Sequence, residues 1–211
     1  MTDNQSVQDS PRRAQLLAVA RTRFVRDGFA KTPVSAIVRD AGVAQGTFYL
    51  YFDNKQALIR ELRREVVRDY ESTLQHIAVA EAPVDERLAR IIVAMSAAVG
   101  RHLDLERVFR EAESGDATLR SAREGRKRLA KQAAALLSAD GSLPLVDAER
   151  TAQMVVTLFD HILYEAHAYE PQAVDAVVAE SLRFTLQGVG FPPARVSELV
   201  ARRGEWAGGE S

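Results

Sequence analysis

The amino-acid sequence predicts an all-α protein. Three observations carry this expectation. Apolar residues recur every three to four positions through most of the chain. Gly and Pro mostly mark the ends of those stretches. No stretch alternates apolar and polar residues as a half-buried strand does.

The elements follow in order. A first helix is expected from Ser10 to Asp27. Ser10 can cap it, Pro11 suits a first turn whose N–H groups have no helical partner, and Gly28 ends it. Leu16, Ala20 and Phe24, with Leu17 beside them, form its apolar face. Thr32 is expected to cap a short second helix, with Pro33 in its first position, Ala36, Ile37 and Val38 on its inner side and Gly42 at its end. A third helix is expected at Gln45–Tyr51. Asn54 then caps a long helix whose apolar positions Leu58, Leu62 and Val66 continue through Tyr70 and Leu74, up to Pro83. Further helices are expected at about 84–102, 105–114, 116–138, 147–169 and 172–187, with a short one from Pro193 to Arg203; Gly115, Gly141 with Pro144, Pro171 and Gly188-Val189-Gly190 separate them. Residues 1–9 are expected to be disordered.

Composition bounds the function. Of 211 residues, 46% are hydrophobic, enough for a core, and no apolar run approaches the roughly 20 residues of a membrane span. The N-terminal Met-Thr-Asp-Asn-Gln-Ser is polar and is read as no secretory signal. The chain has no cysteine, which removes disulfides, thiolate metal sites and thiol nucleophiles and fits a cytoplasmic protein. The net charge of −1 conceals a division. Residues 1–64 hold eleven Lys+Arg and six Asp+Glu, a net +5, while residues 65–211 hold 17 and 23, a net −6. A basic front and an acidic body point to phosphate contact by the front.

The run Phe48-Tyr49-Leu50-Tyr51-Phe52 is the most informative local feature. Phe48 and Phe52 are four residues apart, share one helix face and are expected to pack inward. Tyr49 and Tyr51 then fall on the outer side of a very short helix, where a phosphate gives each hydroxyl a partner. Two short helices joined at Gly42, the second bearing polar and aromatic side chains, form the layout of a helix-turn-helix DNA reader.

Ala41-Gly42-Val43, then Gly46-Thr47-Phe48-Tyr49-Leu50-Tyr51-Phe52, then Asn54-Lys55-Gln56-Ala57-Leu58, with Phe24, Gly28-Phe29, Thr32 and Ile37 upstream, resemble the N-terminal domain of TetR-family transcriptional regulators. The resemblance covers about residues 12–66. It implies an N-terminal three-helix helix-turn-helix DNA-binding domain at 10–54, a long connecting helix at 55–82, a larger C-terminal helical ligand-binding and dimerisation domain at 83–204, and a flexible tail at 205–211. It also implies that Gln45, Gly46 and Thr47 enter the major groove, with Gln45 suited to an adenine edge. Tyr49 would then meet a phosphate or a thymine methyl, Tyr51 and Lys55 would meet phosphates, and Thr32 and Ser35 would lie against the DNA backbone. Two residues depart from the family pattern: Ala44 stands where a capping Ser or Thr is frequent, and Leu50 where a polar group is frequent. Arg12 and Arg13 are read as solvated, as are Arg60, Arg63 and Arg64.

For the body, the resemblance implies a homodimer whose interface is built from the helices at 147–169 and 172–187. Val155, Phe159, Ile162, Val174, Val178 and Leu182 are the expected interface residues, with Leu158 and Phe184 among the side chains such an interface or core would use. A small-molecule effector of unknown identity is expected between the middle helices, with His102, Phe109, Met154 and His161 as pocket residues by position. Arg107, Arg110, Arg123, Arg126, Lys127, Arg128 and Lys131 could attract an acidic ligand such as an acyl thioester, but Glu111, Glu113 and Glu124 nearby favour a solvated face. Asp160, His161, Glu165 and His167 share one helix, yet a metal would need a further ligand such as His102, and neither a metal nor a cofactor is expected.

The expected function is a sequence-specific DNA-binding regulator, a repressor released from double-stranded operator DNA by its effector, with no membrane partner. The alternatives are a ligand-independent structural DNA-binding protein and, least favoured, an all-helical enzyme. The sequence has no Gly-rich phosphate loop, nucleophile elbow or His-Glu-x-x-His, and catalysis is not expected.

Overall fold

The structure is a computed structural model of the chain and describes residues 10–112, 116–139, 141, 143 and 147–207. The expectations for residues 1–9 and for Gly115 and Pro144 lie outside the described residues, as does the end of the tail. Among the described residues the fold is all-α, with no strand. The helices are α1 (Pro11–Asp27), α2 (Val34–Asp40), α3 (Gln45–Tyr51), α4 (Lys55–Ala78), α5 (Val84–Arg101), α6 (Leu103–Ala112), α7 (Asp116–Ser138), α8 (Ala148–Tyr169), α9 (Val174–Gly188) and α10 (Pro193–Ala207), with a 3-10 turn at Pro171–Ala173 before α9.

The chain divides into two compact units. The first comprises Met1–Val66 and Asp104–Arg123, the second Val67–Leu103 and Glu124–Ser211. The first therefore takes in a segment that the sequence reading assigned to the C-terminal body.

In the first unit, α1 packs on α2 and α2 on α3. The core is Leu16, Ala20 and Phe24 from α1, Ile37 from α2, Phe48 from α3, and Leu58, Ile59 and Leu62 from α4. The turn after α2 needs Gly42 at φ +62°, a left-handed conformation costly to a residue with a Cβ. There the Val43 N–H donates to the Val38 carbonyl at 3.0 Å and closes the helix end. Asn54 caps α4 as expected, its side chain accepting from the Ala57 N–H at 2.9 Å.

Two expected caps are absent. The Ser10 side chain caps nothing; its hydroxyl lies 3.0 Å from that of Tyr51. Pro33, not Thr32, flanks α2, and the Thr32 hydroxyl donates to the Gly28 carbonyl at 2.8 Å. Arg63 is also not solvated. It is buried, with its guanidinium 4.7 Å from the centroid of the Phe109 ring and Nη2 donating to the Phe109 carbonyl at 3.3 Å. A guanidinium stacked on an aromatic face keeps its attraction to the ring while shedding water. The α6 segment adds a second tie. Glu111 accepts from the backbone N–H groups of Phe29 and Ala30 at 3.1 and 3.0 Å, and a Cβ on Gly28 (φ +86°) would stand 3.2 Å from its Oε2.

In the second unit, α5 is the central element, packing against α8, α9 and α10. Arg195 on α10 donates to Asp85 on α5 at 2.6 Å, and Arg202 donates to Glu86 at 3.2 Å. The Asp85 carboxyl is partly desolvated, which alone would raise its pKa. The bonds from Arg195 and from the Glu86 N–H outweigh that, so it is held below the usual carboxylate range. A carboxyl with a lowered folded pKa contributes stability above its unfolded pKa of about 4 and loses it as pH falls through the folded value. Asp85→Asn is expected to lower the urea-unfolding free energy by about 1–2 kcal/mol at pH 7. The gap from wild type should close below about pH 4. A gap that did not narrow as pH falls below about 4 would mean that Asp85 acts other than through its charge.

Candidate nucleic-acid interface and an apolar cavity

Helix α3 has only seven residues, and its N-terminal flank, Ala44, supplies no side-chain cap. Intrinsic propensity cannot hold so short a helix, so packing must. Phe48 is fully buried, 5.8 Å from Phe52 and 5.2 Å edge-on from Tyr49 by ring centroids. Phe24 and Phe29, 5.3 Å apart, form a second aromatic pair in the same unit.

Burying Phe48 turns the other face of α3 outward. Gln45 and Gly46 are exposed and Thr47 is partly so. Tyr49 is 52% and Leu50 75% exposed, far more than a core residue of either type. Ser35, on α2, is exposed as well. These six residues, on α2 and α3, are all accessible.

Three other residues expected at DNA are engaged within the protein. Thr32 is 1% exposed, its hydroxyl committed to the Gly28 carbonyl, so its side chain cannot reach a phosphate. Tyr51 is half-buried against Ser10. The Lys55 ammonium donates to the Phe29 carbonyl at 2.6 Å and lies 4.3 Å from the centroid of the Phe29 ring. Burial lowers the Lys55 pKa, against a smaller opposing pull from Glu111. Lys55 and Glu111 thus hold the Gly28–Ala30 loop from opposite sides, one on a carbonyl and the other on N–H groups. Position relative to the motif could not reveal Glu111, because its partners are more than 80 residues away in sequence.

The second unit holds a cavity of about 100 Å³. Tyr70 and Leu74 of α4 line it, with Leu88, Ile92 and Met95 of α5, Leu129 and Leu137 of α7, and Ala152, Phe159 and Leu163 of α8. The wall carries few polar groups. Arg126 and Asp160 face each other at 3.2 Å, and the buried Thr185 hydroxyl has no hydrogen-bond partner among the described residues.

None of the four residues expected at a pocket lines this cavity. His102 Nε2 donates to the Asp69 carboxylate at 2.9 Å, and the ring lies edge-on to Tyr70. Phe109 belongs to the first unit, under Arg63. Met154 and His161 are exposed on α8. Sequence position located one helix of the wall, α8, but not the side of it that faces the void, and α6, which carries Phe109, does not line the cavity. The groups considered for a metal are likewise apart: Asp160 pairs with Arg126, and His167 Nε2 lies 3.1 Å from Ser96 Oγ, its pKa lowered by burial. No group of three or more metal-ligating side chains occurs among the described residues.

Of the expected interface residues, Phe159, Val178 and Leu182 are buried within the second unit, while Val155, Ile162 and Val174 are partly exposed. Met154, Leu158 and Phe184 are exposed large apolar side chains on α8 and α9, as is Tyr169 at the end of α8. Met154, Leu158 and Phe184 border an open groove, and Val155, Thr185 and Val189 line both that groove and the cavity.

Comparison with known proteins agrees with this architecture. Residues 16–62 match the family model of bacterial regulatory proteins of the tetR family. The fatty acid metabolism regulator protein of Bacillus subtilis is 32% identical over 85 residues, which are 40% of this chain and 44% of that protein. The transcriptional repressor KstR2 of Rhodococcus jostii is 37% identical over 60 residues, 28% of this chain and 29% of that one. The match thus spans less than half of these relatives' length. Among solved structures, a TetR-family regulator from Syntrophomonas wolfei superimposes with a TM-score of 0.74 at 18% identity, covering 86% of this chain and 96% of its own. Bacillus subtilis FadR in complex with stearoyl-CoA gives 0.66 at 21%, covering 84% and 97%. These similarities extend the shared fold beyond the matched segment. The likeness to the tetR family is thus one of sequence over residues 16–62 and one of fold over most of the chain.

The packing of α3 sets opposite expectations for neighbouring residues. Phe48→Ala should lower unfolding free energy by about 3–5 kcal/mol. Tyr49→Ala and Leu50→Ala should change it by less than about 0.5 kcal/mol. Thermal and urea denaturation of the three variants measures this directly. A large loss in Tyr49→Ala would place that ring in the core.

Proposed function

We propose that the protein is an operator-binding transcriptional regulator, a repressor that acts as a homodimer in the cytoplasm and is released from DNA by a small molecule held in the cavity of its second unit. The observation that carries this reading is the outward face of α3. Gln45, Thr47, Tyr49 and Leu50 are accessible on a helix whose opposite side is anchored by Phe48. A helix of this size fits the major groove, where a Gln amide can bond an adenine edge and apolar groups can meet a thymine methyl. Leu50 suits the second kind of contact.

The cavity favours a ligand-responsive regulator over a structural DNA-binding protein. Two relatives by fold were solved with acyl thioesters, Bacillus subtilis FadR with stearoyl-CoA and Thermus thermophilus FadR with lauroyl-CoA, which supports an effector with an aliphatic tail here. Helix α4 offers a route for the response. It carries Lys55, which holds the Phe29 carbonyl in the first unit, and Tyr70 and Leu74, which line the cavity in the second. A coupling of about 1–3 kcal/mol is enough for such control. The exposed Met154, Leu158 and Phe184 suit a partner subunit, and two subunits would match two half-sites about one helical turn apart. No described helix is long and apolar enough to cross a membrane.

Fluorescence anisotropy with the DNA upstream of its own coding region tests the reading. Saturable binding to one roughly palindromic site should weaken steeply with salt. Tyr49→Ala should weaken it about tenfold or more without altering subunit assembly, and Gln45→Ala should relax base preference at one position by about 1–3 kcal/mol. Unchanged affinity in both variants would remove α3 from the DNA.

Leu158→Glu and Phe184→Glu should convert the dimer to monomer in analytical ultracentrifugation, because each places a charge in an apolar contact. A wild-type protein that sediments as a monomer at tens of micromolar would overturn the dimer.

A further inference from the structure

The charged residues in the cavity wall define the head group of its occupant. We propose that the ligand is an amphiphile with an anionic head, whose aliphatic tail fills the cavity and whose head takes Arg126 in place of Asp160. This rests on the reading of the cavity as the effector site and adds the chemistry that selects the effector.

Apart from those charged residues and the Thr185 hydroxyl the wall is aliphatic and aromatic, so a tail bound there gains mainly from burial and is read by shape. Charge enters at one place, where Arg126 Nη1 meets Asp160 Oδ2 at 3.2 Å. A guanidinium presents a planar fork of donors that matches carboxylate or phosphate oxygens, and the empty cavity already offers it a carboxylate. The side chains of Arg126 and Asp160 are 31% and 35% exposed, so the pair stands at the rim. An anionic head at that depth keeps part of its hydration and avoids most of the cost of burying a charge. A neutral head would leave the Arg126–Asp160 pair intact and gain little from it. At about 100 Å³ the void is of the same order as the roughly 150 Å³ cavity that takes up six-carbon benzene, so a six-carbon tail is a fitting probe.

Isothermal titration of the full-length protein with hexanoate, hexanoyl-coenzyme A and 1-hexanol tests the proposal. The first two place negative charge next to the tail or on phosphates farther from it; the third has no charge. At least one anion should bind about tenfold tighter than 1-hexanol, and Arg126→Gln should reduce that anion to the level of the alcohol while leaving the alcohol unchanged. The anion that behaves so identifies the source of the head. Asp160→Asn, which removes the internal competitor, should strengthen binding of the same anion about threefold or more. Equal binding of all three probes, an anion indifferent to Arg126→Gln, or weaker anion binding in Asp160→Asn overturns the anionic head while the cavity remains a ligand site. Binding of none of the three overturns both readings, and DNA binding is then tested separately by anisotropy.

Discussion

Burial of Phe48 is the constraint on which the reading face depends. A seven-residue helix without a cap has too few internal hydrogen bonds to persist in water. Its position is set instead by one aromatic side chain with no exposed surface, next to Phe52 at the helix end. Because side chains on a helix point in fixed directions, anchoring Phe48 inward turns Gly46, Tyr49 and Leu50 outward, while Gln45, three residues before Phe48, is exposed as the first residue of the helix. Lys55 and Glu111 extend the same logic to the loop after α1. They satisfy its carbonyl and N–H groups with charges that a solvated loop would not need.

The second unit solves a different problem. Its helices enclose a void rather than filling it, although protein interiors normally pack to crystal density. Larger side chains at Ala133 or Ala152, both in the wall, would have filled space at little cost in sequence. Lining atoms next to a void lose dispersion contacts, and the unpartnered Thr185 hydroxyl adds a desolvation cost. An aliphatic tail bound there would restore the dispersion contacts. Val155, Thr185 and Val189 separate this void from the groove beside Met154, Leu158 and Phe184, so a change in the cavity falls directly behind a surface suited to a partner.

Ion pairs hold the second unit together where the core does not reach. Asp85 and Glu86 begin α5 and take Arg195 and Arg202 from α10. Acidic residues in the first turn of a helix also oppose its positive end, so the two carboxylates are favoured twice. The acidic excess of residues 65–211 is thus partly structural, and the basic excess of residues 1–64 includes Arg63, whose charge is spent inside the protein on Phe109.

The sequence by itself determined the helical class, nearly every helix and the outward face of α3. These follow from local chemistry: apolar spacing, Gly42 at a left-handed turn, the Asn54 cap, and Phe48 and Phe52 four residues apart. The motif was long and ordered enough to carry a resemblance to the TetR-family DNA-binding domain, and the matched segment, residues 16–62, coincides with it. Only the tertiary structure decided which polar residues were already engaged and which helix faces met. Thr32, Tyr51 and Lys55 carry the right chemistry for a phosphate, yet their partners are Gly28, Ser10 and Phe29. Helix α8 is apolar on more than one side, so periodicity could not separate Phe159 and Leu163, which face the cavity, from Met154 and Leu158, which face out. Arg126 and Asp160, 34 residues apart and each ordinary in its own surroundings, became a site only when α7 and α8 packed together. Such pairings are long-range properties of the packed chain, and no local pattern encodes them.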